Sequence, residues 1–342
     1  MRSVTGYAAF EPDGRLRPLE FTRRELRPDD VAVRVTHVGV CHSDLHAVEG
    51  LGTGAPPLVP GHEFVGEVAE VGSDVTRFRA GDAVAVGNIV DSCGVCANCL
   101  AFREPYCLEF PALTYGGRDL RDGSPTQGAY STEYVARDAF VYALPAGLEP
   151  AAVAPLMCAG VSTWGPLRRG GVGPGQQVGI VGLGGLGHLA VRFAVALGAR
   201  VTVFTTSPAK EADARALGAH DVVVSTDADA MGALSGRLDF VLDTASAEHD
   251  LAPYLGALRL DGTLCVLGLP ERYVVPPMSL LGRSLVVSGS AGTAETQELL
   301  DFCGEHGITA DVEVLPLDQV NTALERLARN DVRYRFVLAV AS

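Results

Sequence analysis

The sequence predicts an α/β protein: a β-rich first domain, then a doubly wound domain built on a parallel sheet. Three observations carry this. Residues 1–149 are short β-branched runs broken by Gly and Pro. From 150 to 288, short apolar runs alternate with helix-length segments, the pattern of right-handed parallel crossovers. Residues 289–342 break that alternation, with two helical stretches and one closing strand.

In chain order, Val31–Val40 is partly alternating and β-branched, and reads as a strand, as does Val65–Val71. Gly81–Asp82 marks a turn. Asp91–Leu108 is a cysteine-bearing loop or lobe with little periodicity, and Gly128–Val135 returns to strand character. In the second region, strands are expected at Gln177–Val181, Val201–Phe204, Val222–Val224, Phe240–Asp243 and Gly262–Leu267, with a sixth at Leu285–Ser288. Helices are expected at His188–Leu197, at Pro208–Leu217 with Ser207 as N-cap, and at Leu251–Leu258. The tail supplies helices near Glu295–Glu305 and Leu317–Arg329 and a strand at Arg335–Val340.

Composition narrows the function. A net charge of −14 without a Lys/Arg block argues against a nucleic-acid partner. The opening residues lack a signal-peptide core, and the most apolar stretches are too short or too Gly-rich to span a bilayer, so a cytoplasmic protein without a membrane partner is expected. Four of the eight cysteines crowd between Cys93 and Cys107, which points to metal ligation more than to disulfides.

Gly182, Gly184 and Gly187 form G-x-G-x-x-G between a predicted strand and a predicted helix. With Gly185 and Leu186 they make a tight turn that lets a pyrophosphate approach the backbone at a helix N-terminus. A carboxylate at the end of the second strand would bind an unmodified ribose and repel a 2'-phosphate. Here the strand ends in Thr205, Thr206 and Ser207, with Lys210 following and no acid before Glu211. Hydroxyls and a lysine suit a phosphate dianion, so NADP(H) is favoured over NAD(H).

Cys93, Cys96, Cys99 and Cys107 have the spacing C-x2-C-x2-C-x7-C. Four thiolates close a tetrahedron around zinc, leaving no position for water, so this site should be structural. An iron–sulfur cluster is the rival; the long last gap and the lack of a following Cys-Pro favour zinc. A second set is dispersed: Cys41, His62 and Cys158, with His42, Ser43, Asp44, His46 and Glu63 beside them. Each cysteine alone reads as buried packing, but two thiolates and one imidazole can hold zinc with an exchangeable fourth position. Cys158 lies close to the predicted second domain, which places such a metal at a domain junction, where a cleft is expected.

The segments GVCHSDLH (39–46), PGHEFVG (60–66), the four-cysteine lobe, MCAGVST (157–163), GLGGLGHLA (182–190) and FTTSPAK (204–210) follow one another in a familiar order. The chain resembles the medium-chain zinc-dependent alcohol dehydrogenases, most of all the cinnamyl-alcohol-dehydrogenase-type branch with its bacterial broad-range NADPH aldehyde reductases. The resemblance implies a GroES-like catalytic domain over 1–149, a Rossmann-type NADP-binding domain over 150–288, and a return of 289–342 to the catalytic domain. It also implies that Cys41, His62 and Cys158 hold a catalytic zinc, giving two zinc ions per chain. Glu63 would be a carboxylate able to approach that metal, Asp44 the partner orienting His62, Ser43 the hydroxyl on the substrate oxygen, and His46 a proton relay. His42 would face the cofactor phosphates, and Thr206 would stand where related NAD enzymes carry their acid.

The implied substrate is a primary alcohol/aldehyde pair; Leu51, Leu58 and Tyr115 read either as lining of its pocket or as ordinary core packing. The implied assembly is a homodimer through the sixth strand. Alternatives are an NAD(H) enzyme of the same fold, a non-enzymatic NADP(H)-binding sensor, and a zinc-stabilised structural protein. A zinc-free quinone reductase is disfavoured by Cys41, His62 and Cys158.

Overall fold

The computed structural model describes residues 1–50, 55–268 and 270–341. Two units emerge: Met1–Cys158 with Ala291–Ser342, and Ala159–Ser290. The sequence places its boundaries at 149/150 and 288/289; the chain leaves the first unit after Cys158 and re-enters it at Ala291.

Strand Asp30–Val40 organises the first unit. Its alternation is incomplete because both faces are largely covered, and only Arg34 is exposed. Phe64–Val71 pairs antiparallel with it, placing Val35 opposite Gly66, where a Cβ would collide with the Arg34 carbonyl. Among the described residues the sheet has seven strands, in the order Val312–Pro316, Arg335–Ala339, Asp30–Val40, Phe64–Val71, Ala83–Val86, Val141–Ala143, with Glu133–Arg137 also on Asp30–Val40. The core is aliphatic with a few aromatics, and Phe64 and Phe336 are fully buried. Burial of each such ring stabilises by about 2–3 kcal/mol. Helix Val320–Ala328 adds Val320, Ala323, Leu324 and Leu327, a helical stripe of spacing three and four.

The second unit is a parallel sheet of six strands among the described residues, in the order Asp221–Val224, Arg200–Thr205, Gln177–Val181, Leu238–Asp243, Leu258–Val266, Ser284–Val287. The chain order reverses direction beside Gln177–Val181. The crevice between that strand and Leu238–Asp243 is therefore the topological switch point, where ligands bind in open α/β sheets. Helix Gly187–Ala196 follows the glycine turn, buries Leu189, Val191 and Phe193, and ends before Gly198 at φ +88.

Some local expectations change. Pro208–Lys210 is 3-10 and the α-helix begins only at Glu211; Ser207 makes no side-chain cap bond. The strand expected from Gly128 begins at Glu133, because the amides of Gly128, Ala129 and Tyr130 are taken by carbonyls of Val59, Gly61 and Pro60. Leu317–Gln319 is likewise 3-10 before Val320–Ala328. The fifth strand is longer than expected, Leu258–Val266. No helix among the described residues is long and apolar enough to cross a membrane.

Candidate active site and metal centres

Strand Asp30–Val40 ends directly at Cys41, and helix His42–Val48 starts at once. The turn is held by the Asp44 carboxylate, which accepts the Cys41 amide at 3.0 Å. Asp44 is fully buried and also accepts the Gly61 amide at 3.1 Å, the Tyr130 hydroxyl at 3.2 Å and His62 Nδ1 at 3.0 Å. With Nδ1 donating to a carboxylate, the other ring nitrogen of His62 is left to face Cys158, 3.3 Å from its Sγ. Cys158 and Cys41 place their sulfurs 3.9 Å apart, and the three ligand atoms lie within 4.8 Å of one another.

These thiols suit a cation. Their mutual contact pulls the Cys41 thiol well below its usual range, while the same contact and burial push Cys158 well above it. Two soft sulfurs and an imbedded imidazole nitrogen are a zinc donor set with room for one more ligand.

Ser43 and His46 sit on the same helix at spacing three. Ser43 Oγ lies 3.4 Å from His62 Nε2, and both line a cavity of about 220 Å³ with Ala47, Asn88, Leu113, Thr114 and Tyr115. Tyr115 thus lines the cavity as expected of a pocket residue, its ring 5.7 Å from that of His62. Leu58 does not line it; it is buried and bridged through its backbone to Ala9. Leu51 lies outside the described residues. His42 and His46 are both exposed, with ring centroids 6.5 Å apart.

Glu63 is fully buried and bonded to Arg335. Burial pushes its carboxyl up to about 8 against the pull of Arg335, and its second oxygen has no partner among the described residues. The guanidinium is buried too; burial opposes its charge, and the Glu63 carboxyl together with the Cys41 and Cys158 sulfurs more than offsets this and holds it charged. Sequence reasoning missed Arg335 and Tyr130. Neither carries a local signal, since their partners are 272 and 86 residues away.

Cys93, Cys96, Cys99 and Cys107 also bring their sulfurs within 4.8 Å of one another. Gly94 at φ +71 turns the chain back after Cys93, and Cys96 heads the short helix Ala97–Leu100 that carries Cys99. The 3-10 turn Glu104–Tyr106 delivers Cys107. Backbone amides of Leu108 and Cys99 lower the Cys96 thiol to about 6, while burial raises Cys99 to about 12. Donors of this kind fit a closed tetrahedral ion.

In the second unit Gly182 adopts φ +86, and a Cβ on Gly187 would collide with the Gly182 carbonyl. Gly184 is exposed with open space beside it, and Gly185 and Leu186 are half-buried between the two. This turn fits a dinucleotide pyrophosphate. At the next strand end, Thr206 is exposed, whereas Thr205 is buried and its hydroxyl accepts the Ser207 amide at 3.1 Å. Lys210 Nζ donates to Leu183 O at 3.1 Å, tying this strand end to the glycine turn.

Residues 27–146 match the alcohol dehydrogenase GroES-like domain, and residues 185–305 match the zinc-binding dehydrogenase domain. A probable mannitol dehydrogenase of Fragaria ananassa is 49% identical over 347 positions, covering 100% of this chain and 96% of that protein. A cinnamyl alcohol dehydrogenase of Sorghum bicolor superposes with TM-score 0.94 at 43% identity, covering 99% of this chain and 98% of that one. A cinnamyl alcohol dehydrogenase of Helicobacter pylori, solved in complex with NADP(H), gives TM-score 0.91 at 33% identity, with 99% and 98% covered. From its paired sulfur sites, its glycine turn and these matches, the chain belongs to the zinc-binding alcohol dehydrogenase family.

Proposed function

We propose that this protein moves hydride reversibly between NADP(H) and a primary alcohol/aldehyde pair, with aldehyde reduction the favoured direction. The observation that carries the reading is the Cys41–His62–Cys158 donor set beside a cavity that also exposes a hydroxyl, Ser43. Bound there, zinc supplies Lewis acidity toward the substrate oxygen, and the nicotinamide supplies or takes the hydride. Ser43 Oγ holds the proton at the substrate oxygen, and His46, one helical turn on and exposed, exchanges it with solvent. Asp44 keeps His62 in the tautomer that faces the metal position. The Glu63 carboxyl is engaged by Arg335 inside the core, which restrains a second negative charge from opposing alkoxide formation. His42 is assigned to the cofactor side.

A panel of aldehydes and alcohols with both nicotinamides, run beside metal analysis, tests this. About two zinc equivalents and NADPH-driven aldehyde reduction are expected; a larger kcat/KM with NADH, or turnover that survives removal of zinc, overturns it.

The cofactor preference is assigned to the end of strand Arg200–Thr205. Thr206 and Ser207 offer hydroxyls and Lys210 offers charge to a 2'-phosphate, while Thr205 braces the turn. The Helicobacter pylori relative, solved in complex with NADP(H), supports NADP(H) as the cofactor. Replacing Thr206 with Asp should lower the NADPH:NADH ratio of kcat/KM by about five- to a hundredfold, about 1–3 kcal/mol. Using the ratio removes shared damage to folding or zinc content. An unchanged ratio refutes the assignment.

Assembly is proposed as a homodimer. Strand Ser284–Val287 is the outer strand of its sheet, and Val286, Val287, Met278, Leu281 and Leu260 around it are exposed. Apolar edges of this kind are normally covered or paired. Sedimentation equilibrium should give twice the chain mass across micromolar concentrations, and a monomer throughout would disprove the pairing.

A further inference from the structure

Strand Leu238–Asp243 ends at the switch point with a carboxylate. Asp243 is fully buried. Its Oδ1 accepts the Ala245 amide at 3.0 Å, but its Oδ2 has no aligned hydrogen-bond donor among the described residues. What Oδ2 faces is the imidazole of His249, 2.9 Å from Nε2 and off hydrogen-bond alignment. The other ring nitrogen, Nδ1, lies 2.9 Å from the Ala247 carbonyl oxygen. A neutral imidazole has one N–H and one lone pair. Here both nitrogens face acceptors, so the geometry calls for the doubly protonated, positive ring.

This pair lies beside the glycine turn. Thr244 donates its amide and hydroxyl to Val181 O, at 3.0 and 2.8 Å. Its hydroxyl is 3.2 Å from where a Gly187 Cβ would stand, and the Ala245 carbonyl fills the space a Cβ on Gly268 would need. Thr244 and Ala245 therefore stand against the turn with Asp243 directly before them, and a bare buried carboxylate there would oppose any pyrophosphate brought to it.

We propose that His249 is a positioning residue for the dinucleotide: its charge neutralises Asp243 at the switch point and pins segment 243–247 against the glycine turn. The proposal rests on the nicotinamide reading above. Two further groups act on the ring, and the neighbouring Glu248 is engaged elsewhere. Tyr254, from helix Ala252–Ala257, meets it edge-on at 5.8 Å. Asp250 acts on it from its own loop. Glu248 pairs with Arg272 at 3.8 Å. Tyr273, bonded to Gly268 O, adds a remote influence on Asp243. Asp243 first, and then the Ala247 carbonyl and Asp250, raise the imidazole to about 9 against partial burial. The stabilising charge is thus complete at neutral pH and is lost as pH rises through about 9.

The test is direct titration of the zinc-loaded protein with NADPH and, separately, NADH, followed by cofactor fluorescence between pH 7.5 and 10. In wild type, affinity for both cofactors should fall by about tenfold across that range. The fall with NADH excludes Lys210 and the 2'-phosphate as its source. At pH 7.5, H249Q should bind both cofactors about tenfold more weakly, with no step near pH 9. The double variant D243N/H249Q should recover most of the affinity, since nothing is left to neutralise; a merely structural role for His249 predicts no such rescue. A wild-type NADH affinity flat to pH 10, H249Q binding within twofold of wild type, or absence of rescue each overturns the proposal. Should NADPH bind no better than NADH in wild type, the 2'-phosphate reading fails while the NADH arm still judges His249.

Discussion

Changing Cys158 to Ala is expected to lower kcat/KM for aldehyde reduction by about a thousandfold or more, because Lewis-acid stabilisation of a developing alkoxide is worth several kcal/mol. The side chain lost is one of three whose ligand atoms sit within 4.8 Å of one another. His62, still oriented by Asp44, would keep one good donor in place, so the residual site binds a cation weakly without abolishing the fold. Zinc content should fall from about two equivalents to about one, with little change in melting temperature. An active variant retaining both ions would remove Cys158 from the metal site.

The second large effect separates the two sulfur sites. Cys99 is buried at the centre of its lobe, with its sulfur 3.5 Å from that of Cys96 and 3.8 Å from that of Cys93. A closed ion contributes folding energy outright, and loss of a metal site is among the few single changes that cost more than about 4 kcal/mol. Cys99→Ala should therefore lower the melting temperature by roughly 10 °C. The fraction still folded should keep its kcat. Calorimetry on the purified variant, paired with an assay of the same sample, reads both quantities. Loss of kcat at an unchanged melting temperature would reverse the division of roles between the two sites.

What the sequence made legible was whatever could be decided within a few neighbouring residues. The four-cysteine lobe spans 93–107, so its spacing alone states its chemistry. Gln177–Val181 is found with its expected bounds, because an apolar run followed at once by a glycine turn has few alternatives. The hairpin of Arg2–Ala8 and Arg17–Arg23 escaped notice: it is half exposed, and its inward positions offer only Val4, Gly6 and Ala8 on one strand and Leu19 and Phe21 on the other. Helix Ala159–Arg169 was hidden by two interior glycines and Pro166. Its stability comes from a buried face that includes Trp164 and Leu167, which local propensity does not register.

The dispersed site behaves the same way. Cys41, Ser43, Asp44 and His46 share one short stretch and could be read together. Their supports, Tyr130 on Asp44 and Arg335 on Glu63, are fixed only by the sheet that brings them in. The pair Asp243–His249 was equally silent, since an acid six residues before a histidine has no pattern of its own; only the end of the strand and the turn after it make them face each other. At the cofactor turn, Thr205 shows the opposite limit. Its residue type suits a phosphate, but it is buried with the rest of a strand covered on both faces, and its hydroxyl is used locally.

The antiparallel pairing of Arg335–Ala339 with His37–Val40 also dictates an order of events during synthesis. The strand that lies between Asp30–Val40 and Val312–Pro316 is made after every other strand of that sheet. Unit Ala159–Ser290 is one continuous segment and can close its core as soon as it emerges. The earlier-made residues, Met1–Cys158, must wait with an unfilled sheet edge and with Glu63 lacking its cation, while the later-made segment folds first. A nascent chain stalled just before Arg335, with Ala159–Ser290 clear of the exit tunnel, should accordingly protect its middle from protease while its beginning remains cleavable.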